Sequence, residues 1–192
     1  VLVARNGKIV YHKSFGMSDM ENKIPMTNDK IFRIASQTKA LISVGIMMLQ
    51  EEGKLLLSDS LSTHIPEFKN SKVAEKKSRK RYRIVKAKRP IRIRDLMTHT
   101  AGIGYGFGPA SNLWKKADLQ GWYFAHKDEP ILESIRKMAK LPMEAHPGEA
   151  YVYGYNTDIL GAVIEVVSGQ PLDVFLKERI LDPLGMVDTH FY

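Results

Sequence analysis

Ser36 and Lys39, in Ser36-Gln37-Thr38-Lys39, are the residues whose types and spacing first suggest chemistry. On a helix, residues three apart lie on one face, so the lysine amine reaches the serine hydroxyl. Desolvation disfavours a charged ammonium. A neutral lysine in a dry pocket accepts the serine proton and makes the oxygen a nucleophile. A helix N-terminus adds free N–H groups and the positive end of the dipole, suited to a developing oxyanion. This chemistry is serine acyl transfer or hydrolysis. The motif is short, and ordinary Ser and Lys usage yields about one by chance in a chain of this length. Ser134 and Lys137 repeat it, in an amphipathic segment expected to turn that pair to solvent. Tyr151, Tyr153 and Tyr155 alternate in a glycine-bounded stretch and are expected to project to one side of an extended segment. A phenol near an ammonium can serve as a base; the competing reading is three core or rim aromatics.

The elements that must hold these residues follow from local signals. Two short β-type runs, Val1 to Arg5 and Lys8 to Phe15, flank Asn6-Gly7 and predict a hairpin. A loop through Asp19, Asn22, Pro25 and Asn28 follows. From Ser36 to Glu52, good helix formers predict a helix stopped by Gly53. Ala40, Leu41, Val44, Met47 and Met48 fall at helical spacing, with Ile42, Ile46 and Leu49 on the other sides, so this helix is expected to be buried nearly all round. A loop and short helix end near Ile65-Pro66, and a short helix begins at Arg94. Helices are further predicted over 111–126 and 130–140. Residues 146–156 read as an extended loop. A helix over Thr157 to Ser168 is closed by Gly169, and another, opened by Pro171 at its first position, runs to about Leu181. The domain reading is 1–60 for the hairpin and the helix carrying Ser36, 61–156 for a helical and loop region with a basic hairpin, and 157–192 for helices returning to the first part.

Composition narrows the function classes. The 192 residues are 44% hydrophobic and 26% charged, which excludes a disordered or fibrous chain. No cysteine is present, so a thiol nucleophile, a Cys-ligated metal and a disulfide are all excluded. The compartment is left open by the same fact. Net charge is +8, but 12 of the 29 basic residues and only one acid, Glu75, lie between Lys72 and Arg94, leaving 17 bases against 20 acids elsewhere. The segment reads as an exposed basic hairpin whose lysines guard an edge strand. Aromatic interleaving is limited to Tyr82, and nucleic acid is not an expected partner. The longest apolar stretch, Leu41 to Leu49, is too short to span a bilayer, which needs roughly 20 residues. Histidines 12, 64, 99, 126, 146 and 190 show no helical metal spacing. His99 reads as a buried, hydrogen-bonded histidine. The loop Gly102-Ile103-Gly104-Tyr105-Gly106-Phe107-Gly108 matches no phosphate-cradling pattern. Tyr105 and Phe107 are candidates to line an acyl pocket, with structural filler as the alternative.

Four blocks occur in order: IFRIASQTKA, LMTHTAGIGYGFG, PGEAYVYGYNTDILGAVIEVVSGQPLDVFL and ILDPLGMVDTHFY. Together they resemble the serine β-lactamase superfamily, specifically its class C-like group, and within it the family VIII carboxylesterases. The resemblance implies an α/β (α+β) fold of β-lactamase and penicillin-binding-protein type, an antiparallel sheet with a helical region. It implies Ser36 as nucleophile in S-x-x-K, Lys39 as its lysine, and Tyr153 as the catalytic tyrosine. Tyr153 stands five residues before Asp158, as in the esterase pattern Y-S-x-x-x-D. Gly154 replaces the usual Ser, and Asn156 is one residue late for the lactamase pattern Y-x-N. Tyr155 stays as a fallback for the tyrosine role and, with Tyr105 and Phe107, as a substrate-binding candidate. The implied activity is hydrolysis of short-chain esters through an acyl-enzyme, without metal or organic cofactor. The alternatives are a β-lactamase or D-alanyl-D-alanine carboxypeptidase, or a non-catalytic protein keeping the fold. The family's third motif, on a later strand, is not in the sequence, so the expectation is an incomplete sheet and site: either a second fragment of the same protein completes them, or the chain is a truncated product.

Overall fold

A computed structural model describes residues 1–78, 81–121 and 127–191. Two compact units divide the chain at Ser36 and Gln37.

The first unit, Val1 to Ser36, is built of two antiparallel hairpins. Strand β1 (Leu2–Arg5) pairs with β2 (Lys8–His12), with Leu2 opposite His12 and Arg5 opposite Lys8. Asn6 and Gly7 both take positive φ, 49° and 70°, the geometry that two-residue hairpin turns require. The second strand ends three residues short of the expected Phe15. The stretch read as loop holds a second small hairpin, β3 (Met17–Asp19) with β4 (Ile24–Pro25). Its turn is tied by Asp19, which accepts from the backbone N–H and the side-chain amide of Asn22 at 3.0 and 2.7 Å.

The second unit is organised round two helices. Helix α1 (Thr38–Glu51) packs against α6 (Asn156–Ser168). It buries Ile42, Gly45, Ile46 and Leu49, while Val44 and Met47 remain 48% and 37% exposed. The expectation of burial on all sides is therefore corrected: one stripe faces α6 and α7, and the opposite stripe lies open. Gly45 lets the helices approach, since a Cβ there would lie 3.0 Å from Ile164 and 3.2 Å from Phe175. Ile159, Leu160, Ala162, Val163 and Ile164 of α6 are buried. Each large aliphatic side chain so buried stabilises the unit by about 1.5–3 kcal/mol relative to exposure. Gly169 closes α6 at φ 71°, as its place after the last helical residue predicts. Pro171 sits at the N-cap of α7 (Leu172–Leu176), one position before the expected first turn, and the helix widens into a π-helical turn over Lys177–Leu181.

Round this pair lie α2 (Leu61–His64), a 3₁₀ turn (Pro66–Asn70), α3 (Ile93–Met97), α4 (Ser111–Lys116) and α5 (Ile131–Met138). The helix expected over 111–126 ends at Lys116, and 122–126 lie outside the described residues. The basic segment forms an antiparallel hairpin, β5 (Lys72–Ser78) with β6 (Arg81–Lys86). On its far edge β5 is bonded to Met143, through Met143 N–H to the Lys72 carbonyl and Ala74 N–H to the Met143 carbonyl. Among the described residues no single helix is long and apolar enough to cross a membrane.

Candidate active site

Two irregular segments, 99–108 and 144–156, are zipped together by backbone hydrogen bonds. Val152 donates to His99, Gly148 to Thr100 and Glu144 to Gly102, each at 2.8 Å. Glycines make the approach possible. A Cβ on Gly154 would stand 2.4 Å from the Gly104 carbonyl carbon and 2.5 Å from the Ile103 oxygen. No side chain fits between two backbones that close, which explains physically why Gly154 stands where the resemblance leads one to expect Ser. Gly106, at φ 81°, lies against Trp114. The Trp114 indole is anchored by donating to the Pro142 carbonyl at 3.0 Å.

This zipper sets out the aromatic residues. The Tyr153 ring stacks on His99 at 4.8 Å and meets Tyr105 edge-on at 5.8 Å. Tyr105 in turn meets Tyr155 edge-on at 4.9 Å, and Tyr155 lies parallel to Trp114. Tyr153 is 44% exposed and Tyr151 68%, whereas Tyr155 is 1% exposed, with its hydroxyl donating to the Gly121 carbonyl at 2.7 Å. The three tyrosines do not share one side as the alternation predicts. The segment is not a strand, and it enters α6 at Asn156, which rotates Tyr155 inward.

Lys39, in the first turn of α1, holds its ammonium 5.1 Å from the centre of the Tyr153 ring, within cation–π range. Ser36 precedes it in a 3₁₀ turn, Ala35–Gln37, that runs directly into α1. The turn is entered through Ala35 at φ 44°, a left-handed conformation that costs a non-glycine residue about 1 kcal/mol or more. Ser36 is exposed. Phe107 is 62% exposed and Tyr105 half-buried. The other Ser-x-x-Lys pair is arranged differently. Ser134 is buried, not solvated as its amphipathic setting predicts, and donates to Glu129 at 2.7 Å, while Lys137 pairs with the same carboxylate. That pair clamps Glu129.

Asn156 and Asp158, known from the sequence only as positions in the tyrosine motif, and Glu144, which the sequence did not single out, lie in the same region. Asn156 is fully buried; its amide nitrogen lies 3.0 Å from His99 Nδ1 and 3.1 Å from the carbonyls of Ile103 and Val152. Two carbonyl acceptors fix which end of the amide points there. His99 Nδ1 then accepts, so the proton of the neutral ring sits on Nε2. Burial, reinforced by the Lys39 charge, holds the His99 pKa below its usual value. Asp158, in the first turn of α6, is raised by burial to about 6, opposed by its own backbone N–H and by Lys39. Tyr105 is pushed up to about 12 by burial first, then by Tyr153 and Asp158, and its hydroxyl is hydrogen-bonded to Tyr153. Burial also raises the Tyr155 phenol. Glu144 is raised by burial and accepts the Gly108 N–H, filling the space beside Gly104 and Gly108. The advance signal for Asn156 and Asp158 was their spacing from Tyr153 in the family patterns, and nothing in the sequence marked Glu144. Among the described residues no group of three His, Asp or Glu side chains could hold a metal ion.

A serine three residues before a lysine, that lysine over an exposed tyrosine, and a chain of helices and small antiparallel hairpins define the class: the β-lactamase and penicillin-binding-protein fold. The chain belongs to the Beta-lactamase family, which it matches over residues 1–192. It is 32% identical to "Esterase EstB" of Burkholderia gladioli over 99% of this chain and 46% of that protein. It is 29% identical to a "Putative D-alanyl-D-alanine carboxypeptidase" of Escherichia coli (strain K12), over all of this chain and 42% of that one. The solved structure of "EstCE1, a hydrolase with promiscuous acyltransferase activity" superposes with TM-score 0.80 at 32% identity, over 96% of this chain and 45% of that chain. The chain thus spans about half the length of the relatives it matches.

Proposed function

We propose that the chain supplies the nucleophile-bearing part of a serine hydrolase acting on short-chain carboxylic esters. Ser36 Oγ attacks the ester carbonyl, and its proton passes to the Lys39 and Tyr153 pair. The tetrahedral oxyanion is met by the Ser36 N–H at the start of the helix. As the C–O bond breaks, the same pair returns the proton to the departing alkoxide, leaving an acyl-enzyme. Water adds to the acyl carbonyl and gives its proton to the pair, and as the C–Oγ bond breaks the pair returns that proton to Ser36 Oγ, freeing the acid and restoring the serine. The observation that carries this reading is the Lys39 ammonium 5.1 Å from the ring of an exposed tyrosine. Tyr153 is the one of the three tyrosines that combines that lysine with solvent access. Tyr105 and Phe107 are assigned to the acyl pocket. Tyr155, buried and bonded to Gly121, is assigned to their support instead of to substrate contact.

The relative named as a carboxypeptidase keeps a β-lactam or D-alanyl peptide reading in view. Asn156 weighs against it. In the lactamase pattern an asparagine follows the tyrosine by two, but here the asparagine comes one residue later and its amide is held inward on three acceptors. The test is labelling with a p-nitrophenyl phosphonate ester, which forms a stable adduct on an activated serine, together with p-nitrophenyl butyrate and nitrocefin turnover by the protein. One adduct on Ser36, ester turnover abolished by Ser36→Ala and by Tyr153→Phe, and slow nitrocefin turnover are expected. Full ester turnover by Ser36→Ala would overturn the proposal. Nitrocefin turnover faster than ester turnover would replace it with the lactam reading.

A further inference from the structure

The β5–β6 hairpin carries more charge than an edge strand needs. Of its cations, Arg83 pairs with Glu75 at 2.6 Å. Lys72, Lys76, Lys77, Arg81 and Lys86 make no ion pair among the described residues, and all five are exposed. Lys72 and Lys86 stand directly opposite one another in the register. Like charges so placed destabilise a strand pair. Edge lysines discourage pairing with another strand, but the directly opposed Lys72 and Lys86 weaken the hairpin that they would guard.

The register also puts Ile84 beside Lys86 on the face that Lys72 shares, opposite Ala74. Ile84 is 47% exposed. Asn70, Lys72, Ile84, Val85 and Lys86 border an open hollow of about 300 Å³. An apolar side chain beside a facing pair of unpaired lysines suits a surface that is anionic at its headgroups and apolar just beneath. A nucleic acid would favour stacking aromatics and Arg forks. Here the hairpin's one aromatic, Tyr82, is tied back by its hydroxyl to Asn112 at 3.0 Å, and the hollow is lined by lysines. We propose that the outer face of the β5–β6 hairpin docks the protein on an anionic phospholipid surface, with Lys72 and Lys86 taking headgroup phosphates and Ile84 entering the interface.

The attraction should be electrostatic and additive, about five-fold in affinity for each lysine near the membrane, and screened by salt. The experiment is co-sedimentation with phosphatidylcholine vesicles, with and without phosphatidylserine, at low and high salt. The wild-type protein is compared with Lys72→Gln/Lys76→Gln/Lys86→Gln, the matching Lys→Arg triple variant, and Ile84→Ser. Circular dichroism and ester turnover report whether each variant is folded. Binding only to phosphatidylserine vesicles is expected. It should fall roughly 10²-fold in the Gln variant, hold in the Arg variant, and weaken in Ile84→Ser in a manner that added salt does not mask. Equal binding to uncharged vesicles, unchanged binding by the Gln variant, or tighter binding to a duplex oligonucleotide than to the vesicles would overturn the proposal. Aggregation of the Gln variant with unaltered vesicle binding would return the lysines to edge protection alone.

Discussion

Replacing Gly154 by Ser would restore the residue that the esterase pattern leads one to expect, and by pattern alone it should be benign. The structure predicts the opposite. A Cβ at 154 meets the Gly104 carbonyl carbon at 2.4 Å, the Gly104 Cα at 2.5 Å and the Ile103 oxygen at 2.5 Å. All three are backbone atoms, so no side chain can rotate away, and segment 99–108 must move. Overpacking of this kind costs about 1–3 kcal/mol. Replacing glycine also restricts the unfolded chain, which returns about 0.4–1 kcal/mol. The net expectation is destabilisation by about 1–2 kcal/mol, or a Tm lower by roughly 2–8 °C for a chain of this size. Gly45→Ala is the control, since its new Cβ meets only side-chain tips, at 3.0 and 3.2 Å. There the helical preference for Ala, about 1 kcal/mol, offsets the crowding, and little change is expected. Thermal and urea unfolding of Gly154→Ala, Gly154→Ser and Gly45→Ala would measure all three. A Gly154→Ser protein as stable as wild type would refute the close approach of the two segments, and with it the geometry that places Tyr105 against Tyr153.

Other perturbations have signs set by the same structure. Arg89 grips Asp95 through two bonds, at 2.6 and 3.0 Å, and Asp95 is 3% exposed. Arg89→Ala strands that carboxylate and should cost about 2–3 kcal/mol in urea unfolding, toward the low end for buried pairs because Arg89 is partly exposed. Asp158, raised to about 6 from 3.8, binds protons more tightly in the folded than in the unfolded protein. Its contribution to stability is therefore full below about pH 4 and is lost as pH rises through 6. Asp158→Asn should gain on wild type across that window, and a wild-type-minus-variant stability difference flat from pH 4 to 7 would contradict this. Asn156→Ala leaves the carbonyls of Ile103 and Val152 and His99 Nδ1 without their shared donor, so a loss of about 2–3 kcal/mol is expected. Asn156→Asp should be worse at neutral pH than at pH 4, because a carboxylate there faces two carbonyl oxygens. Ser134→Ala should leave phosphonate labelling intact, since Ser134 is bonded to Glu129 and buried.

What could be read from the sequence was whatever a local rule decides. Asn6-Gly7 announces a hairpin because only a few residues tolerate two successive positive φ values, and Gly169 ends α6 for the same reason. The β3–β4 hairpin escaped because strands of three and two residues are shorter than any alternation they could display. For α1, composition told that the helix was apolar but not which neighbours would cover it, and the stripe with Val44 and Met47 lies open.

The tyrosine run shows why the site was harder to read than the fold. Period-two alternation assigns Tyr151, Tyr153 and Tyr155 one direction only if all three lie in one strand. The chain instead turns helical at Asn156, so the last tyrosine belongs to the approach to α6 and is driven into the core beside Trp114. That single change of period separates one phenol that meets both Lys39 and solvent from one whose hydroxyl bonds to Gly121. It depends on Asn156, whose amide nitrogen lies within hydrogen-bond reach of two carbonyls and a histidine, and on Gly104 and Gly154, whose missing side chains let the two segments touch. None of these acts on the residue next to it in sequence. The choice of tyrosine is a long-range property, made by groups some fifty residues apart, and a local pattern could propose Tyr153 only through resemblance.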